Sequence, residues 1–208
     1  MAQLFSVHPD NPQLRLLRQA AQLIDHGAVA AIPTDSCYAL ACHLDDKPAV
    51  DRLRQIRSVN ERHHLTLLCR DLSELSVYAK VGNAMYRMLK LGTPGPYTFI
   101  LEATREVPRR LSHPSRKTIG IRVPAHPAAQ GLLDVLGQPL IGTTLQLPGD
   151  ELPLADPADI RARLEHDIDL VLDAGACGIE PTTVIDLTGR EAVVIRVGRG
   201  SLAALGLA

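Results

Sequence analysis

Three apolar segments of the chain run into short clusters of hydroxyl and amide side chains. They are Thr34 and Ser36 after AVAAIP, Thr143, Thr144 and Gln146 at the end of PLIGTTLQ, and Thr182 and Thr183 beside VIDL. One such threonine is an ordinary β-branched strand residue. Three clusters at three strand ends suit a polar ligand held at one edge of an α/β sheet, where strand ends converge on a crevice. Arginine supplies the opposite chemistry, because Arg57, Arg122 and Arg196 stand at or near the ends of apolar elements, away from runs of charge. A guanidinium set among Ile and Val needs an anion, either a ligand carboxylate or phosphate or an internal aspartate such as Asp186. No GxSxG, Walker or GxGxxG motif is present, and no residue stands out as a nucleophile, so the catalytic group is unassigned. Hydroxyls, guanidiniums and backbone amides suit a site that orients two substrates and stabilises charge, as nucleotidyl transfer requires.

Metal ligation by side chains is not expected. The eight histidines are scattered, and the adjacent pair His63-His64 lies in a polar stretch without HExxH or Cys/His spacing. Cysteines 37, 42, 69 and 177 form no CxxC and read as reduced thiols. The start MAQLFSVHPDN lacks the basic, apolar pattern of a signal peptide and no apolar run approaches a membrane span, so the expectation is a cytoplasmic protein with no membrane partner. A formal net charge of -1 confines any nucleic-acid binding to a local patch, and EVPRRLSHPSRK supplies one in Arg105, Arg109, Arg110, Arg116 and Lys117.

The elements that must position these residues follow from punctuation and period. With 208 residues, 46% hydrophobic and only 3% aromatic, residues 1–208 should form one domain with an aliphatic core. A helix is expected over 11–27, capped by Asn11 and stopped by Gly27, and another over 47–57 begun by Asp46 and Pro48. Short helices are expected near 71–77 and 83–91, then one opening at HPAAQGLLDVL and stopped by Gly137, and one near 157–166. Strands are read at AVAAI, YALAC, LTLLC, YTFIL, TIGIRV, PLIGTTL, IDLVLDAG, TTVIDL and AVVIRV, the last two as an antiparallel hairpin across TGRE. With about eight strands mixed with about six helices, the fold class is α/β, layers of sheet and helix.

Together, IPTDSCYALAC, GPYTFIL, TIGIRVPAHPAA and TTVIDL followed by VIRVG resemble, in order, the motifs of the YrdC-like threonylcarbamoyl-AMP synthase family, over about residues 12 to 200. HPDNPQ, LCRDLSELS and TLQLPGDE are closer to the YciO branch of that family. The resemblance implies the YrdC-like fold, a twisted open sheet of parallel and antiparallel strands flanked by helices around a large, concave, positively charged cavity. It also implies a reaction joining L-threonine, bicarbonate and ATP, which brings its own Mg²⁺, into threonylcarbamoyl-AMP and diphosphate for tRNA modification. Carried over by position, Thr34, Ser36, Arg122 and Thr182 would form the threonine subsite. Gln55, Arg57, Thr118, Thr144, Gln146 and Arg196 would face the nucleotide. Two motifs depart from the family pattern: Gln55-Ile56-Arg57 replaces Lys-x-Arg, and Thr144-Leu145-Gln146 replaces Ser-x-Asn. Three readings stay open: a synthase, with Arg54 covering for the lost Lys; a module binding tRNA or double-stranded RNA through the 105–117 stretch; and an enzyme hydrolysing threonylcarbamoylated products.

Overall fold

The computed structural model describes residues 1–207. Ten strands form one sheet. They are β1 (Gln3–Ser6), β2 (Ala30–Ile32), β3 (Ala39–His43), β4 (Thr66–Leu68), β5 (Tyr97–Glu102), β6 (Thr118–Arg122), β7 (Leu140–Thr144), β8 (Leu170–Asp173), β9 (Thr183–Asp186) and β10 (Val193–Arg196). Their order across the sheet is β1-β8-β2-β3-β7-β4-β6-β5-β9-β10. Pairing is mixed: β1–β8, β2–β8, β4–β6 and β5–β9 are parallel, and the others antiparallel. The expected hairpin is present as β9–β10, with a bulge between Val194 and Arg196.

Six α-helices flank the sheet: α1 (Leu14–Asp25), α2 (Lys47–Arg57), α3 (Leu72–Tyr78), α4 (Asn83–Gly92), α5 (Pro127–Leu136) and α6 (Pro157–Leu164). Their ends follow the sequence signals where a side chain can satisfy the free N–H groups. Asp46 accepts from Ala49 N–H at 2.9 Å to open α2, and Asp156 accepts from Ala158 and Asp159 N–H to open α6. Gly137, at φ 68°, closes α5 in the left-handed conformation that glycine adopts without a Cβ penalty.

The start of α1 differs from the expectation. Asn11 is not its cap: Asp10 and Asn11 N–H both donate to His8 Nδ1 at 3.2 Å, which winds residues 8–13 into a turn, and the helix begins after Gln13. Strand β1 was not expected at all. QLFS carries a weak pattern and is held by its parallel pairing to β8, a partner far along the chain.

Side chains alternate across each strand, so the sheet has two faces. Leu40, Leu67, Phe99, Ile119, Ile121, Ile141 and Ile185 point to one face, where α2 packs through Ala49, Val50 and Leu53. On the other face, α1 and α5 cover β8, β2 and β3 with Leu17, Ala21, Ile24, Ala128, Leu132 and Leu133. These two helices reach only part of that face. Beyond them, the same face of β7, β4, β6, β5 and β9 carries Gly142, Thr144, Thr66, Leu68, Gly120, Arg122, Thr98, Ile100 and Val184, and there the cavity opens. Leu68 lies on the boundary, part of the second core and of the cavity wall at once. No helix among the described residues is long and apolar enough to cross a membrane.

Candidate functional site

The cavity has a volume of about 340 Å³, with the uncovered sheet face as its floor. Its floor is low because the residues there are small: a Cβ on Gly120 would lie 3.1 Å from Thr66 Oγ1 and 3.3 Å from Thr98 Cγ2. The walls come from the end of α2 and the following segment (Arg57, Arg62, His63, His64), the turn before β3 (Cys37, Tyr38), Gln146, Pro181, Thr182, and Ile195 and Arg196 of β10. Four arginines line it, and no carboxylate does among the described residues.

Arg122 is 5% exposed at the end of β6 and takes the carboxylate of Asp35 as its partner, not that of Asp186. Its other terminal nitrogen donates to Ser36 Oγ at 3.0 Å, while Nε is buried without a partner. Behind Ser36 stands Thr34, whose hydroxyl donates to Cys37 O at 2.6 Å. That donor is used, so at 3.1 Å Ser36 is the residue donating to Thr34 Oγ1. This corrects the expectation for Thr34 and Ser36. Both are buried and lie outside the cavity lining, forming a relay that fixes Arg122. Asp186 instead accepts from the backbone and hydroxyl of Thr188.

Arg196 reaches the cavity because of the β10 bulge: one extra residue, Ile195, shifts the register and brings Arg196 opposite Val184, itself on the cavity face. Its Nε and Nη2 donate to Thr182 O at 3.1 and 2.9 Å, and Thr182 Oγ1 meets Thr98 Oγ1 at 2.8 Å. Gly198 follows in the Arg-x-Gly turn, and only glycine fits there, since a Cβ would come within 2.2 Å of Pro181 O. Arg57 has a buried Nε without a partner. Burial lowers the proton affinity of Arg57 and of Arg196 below the usual guanidinium range.

Two of the expected nucleotide contacts, Gln55 and Thr118, fall elsewhere. Gln55 is exposed on the opposite side of α2, beside Leu147 and Arg163, because residues two apart on a helix point in widely different directions. A lysine at that position would not face the cavity. Arg54 does not replace it, since its guanidinium donates to Asn60 O and Arg110 O. Thr118 is buried against His64 Nε2 at 3.1 Å and is not part of the lining. Thr144 and Gln146 do line the cavity, although the Gln146 amide also donates to Asp150 O and Glu151 O, closing the loop after β7.

Sequence reasoning passed over Arg62, His63, His64 and Cys37. His63 Nε2 stands 3.5 Å from Thr143 Oγ1, and His64 stacks on His113 with centroids 5.0 Å apart. Burial, then the positive charge of Arg57, His64, Arg54 and Arg196, lowers the His63 pKa below its usual 6.5. Burial and the neighbours His113 and Arg116 do the same for His64. The Cys37 thiol is pushed up by burial against the opposing pull of Ser36 and Arg122, which leaves it protonated and a poor nucleophile. The only signal for the histidines was their adjacency, one residue before LTLL.

The basic residues Arg105, Arg109, Arg110, Arg116 and Lys117 are all exposed, on residues 103–117 between β5 and β6. That segment is anchored by the buried Val107 and Leu111. Arg110 is a structural brace, donating to Leu44 O at 2.9 Å while its carbonyl accepts from Arg54. The segment adjoins the cavity through the His64–His113 stack, instead of lying apart from it.

Arginines thus wall an open sheet face whose lining has no carboxylate among the described residues, and a hydroxyl relay holds one guanidinium there. The chain belongs to the Sua5/YciO/YrdC family: the family model described as Sua5_yciO_yrdC, Telomere recombination, matches residues 22–198. It is 52% identical to protein YciO of Escherichia coli (strain K12) over 97% of this chain and 98% of that one. The crystal structure of E. coli YciO superposes with a TM-score of 0.95 at 51% identity, covering 99% of this chain and 100% of that chain. A threonylcarbamoyl-AMP synthase of Halorhodospira halophila is 31% identical over 86% of this chain and 93% of its own length. The crystal structure of P. abyssi Sua5 complexed with L-threonine matches with a TM-score of 0.86 at 26% identity, covering 95% of this chain and 58% of that one.

Proposed function

We propose that the protein is a threonylcarbamoyl-AMP synthase-like enzyme, converting L-threonine, bicarbonate and ATP to threonylcarbamoyl-AMP and diphosphate. The observation that carries this reading is the cavity lining: four guanidiniums, hydroxyls on the floor and no carboxylate. Such a lining favours ligands that are anionic throughout, as a threonine carboxylate, bicarbonate and a triphosphate are. Arg122, held by Asp35 and Ser36 in the cavity lining, gives a carboxylate a fixed positive charge in a rigid frame. Arg57 and Arg196 have no acidic partner in the lining and suit the phosphates. Mg²⁺ arrives on ATP and is held by its phosphates, since the lining offers no carboxylate to share it. The synthase named among its relatives and the threonine named with Sua5 support the choice of substrates.

The test is to incubate the purified protein with L-threonine, bicarbonate and Mg-ATP and separate the products by chromatography. Threonine-dependent appearance of the adenylate and diphosphate is expected. ATP that survives unchanged at every threonine concentration rejects the synthase reading. The stack of His64 on His113, which ties the basic segment to the cavity wall, supports one addition to it: binding of tRNA or double-stranded RNA through the exposed Arg105, Arg109, Arg116 and Lys117.

A further inference from the structure

Carbamate formation needs a proton acceptor. L-threonine reaches the cavity as an ammonium, and its nitrogen has no lone pair until that proton leaves. The lining narrows the choice of acceptor sharply. It contains no carboxylate among the described residues, its arginines stay protonated, its one thiol is Cys37, 3% exposed, and its one phenol, the buried Tyr38, donates to Gly175 O. Two imidazoles remain. His64 is engaged on both sides, its Nε2 on Thr118 Oγ1 at 3.1 Å and its ring stacked on His113. His63 has one long contact, 3.5 Å from Nε2 to the Thr143 hydroxyl on β7.

We propose that His63 is the general base of this cavity, its Nε2 taking the proton from the threonine ammonium so that the amine can attack bicarbonate. The proposal rests on the synthase reading above. The step balances without any further reagent. The ammonium gives one proton to His63, the freed nitrogen lone pair forms the C–N bond to the bicarbonate carbon, and the C–OH bond breaks. The hydroxide leaves as water with the second N–H proton, so the carbamate is ready to attack the α-phosphorus of ATP and expel diphosphate.

The surroundings favour the neutral imidazole over the charged one. Arg54 and Arg57 face it from α2, Arg196 from β10 and His64 from its own segment, with no acid opposing them in the lining. A cationic cavity thus does two compatible things, gathering anions and keeping an imidazole neutral. His63 is solvent-exposed on the segment after α2, so its side chain can be exchanged without disturbing the fold.

Diphosphate release is measured against pH for wild type, His63→Gln and His63→Ala, the last with and without added imidazole, beside thermal shifts with threonine and ATP. Both variants are expected to keep the ligand-induced shifts while turnover falls by about 10² to 10⁴. The acid limb of the wild-type profile, lying below pH 6.5, should vanish in both, and imidazole should restore part of the rate of His63→Ala. Wild-type turnover in the variants, or an acid limb that persists with no rescue, overturns the assignment while leaving the synthase reading standing. A wild-type protein that binds threonine and ATP but releases no diphosphate rejects the synthase reading, and the base falls with it.

Discussion

Asp35→Ala tests how the cavity is held before any ligand enters. The Asp35 and Arg122 side chains are 16% and 6% exposed, so deleting the carboxylate strands a guanidinium in a cavity already carrying three others. Removing one partner of a buried pair costs about 3–5 kcal/mol, and the open side of the cavity puts this case at the lower end. Asp35 also accepts from Ala125 N–H at 3.1 Å, which adds about 1 kcal/mol. The sum, about 4 kcal/mol, corresponds in a chain of this size to a Tm lower by about 8–16 °C. Calorimetry or urea unfolding measures it directly. Asp35→Ala combined with Arg122→Met, which removes both charges, should recover most of the loss. Phosphate at high concentration should raise the Tm of the single variant more than that of the double one. An Asp35→Ala protein within about 0.5 kcal/mol of wild type, or a double variant no more stable than the single, would falsify the view that Asp35 supports Arg122.

Further expectations follow from individual contacts. Gly198→Ala should cost about 2 kcal/mol or more in urea unfolding, because its Cβ meets the Pro181 and Thr182 carbonyls, and it should weaken ATP binding by displacing Arg196. Gln55→Lys, on the far side of α2, should leave diphosphate release unchanged; a clear gain would show that the helix end turns toward the cavity in solution. Changing Arg109 and Arg116 together to Glu should weaken RNA binding in fluorescence anisotropy and flatten its salt dependence, whereas Arg110→Glu should also lower the Tm through loss of the Leu44 bond. His63, His64 and His126 all have pKa values depressed by burial, so the unfolded chain binds more protons than the folded one below pH 6.5. Stability should therefore be full above that pH and fall as the solution is acidified through it, a slope that His64→Gln should reduce.

The elements with strong local signals were legible from sequence. Asp46 with Pro48 and Arg57 bound α2 as expected, and the apolar runs marked every strand but β1. What escaped were features decided by distant partners: the hold of β8 on β1, the capture of residues 10 and 11 by His8, and the place of His63 beside Thr143. The site residues divided in the same way. Arg57, Arg122, Thr144, Gln146, Thr182 and Arg196 line the cavity. Thr34 and Ser36 carry the right chemistry but spend it on their own turn and on holding Arg122, and motif spacing cannot show which way a helix-end residue such as Gln55 points.

The shared sheet face has a consequence for how this protein can change. The cavity is a stretch of interior left without its helix, so a ligand acts as the missing third layer and Leu68 marks the seam between permanent and borrowed packing. Larger apolar side chains at floor positions would extend the second core across that seam and make the unliganded chain more stable. They would do so by occupying the ligand's place. Small residues on the floor are thus a reserve of stability held open, and a drift toward bulk there would close the cavity while keeping the same fold.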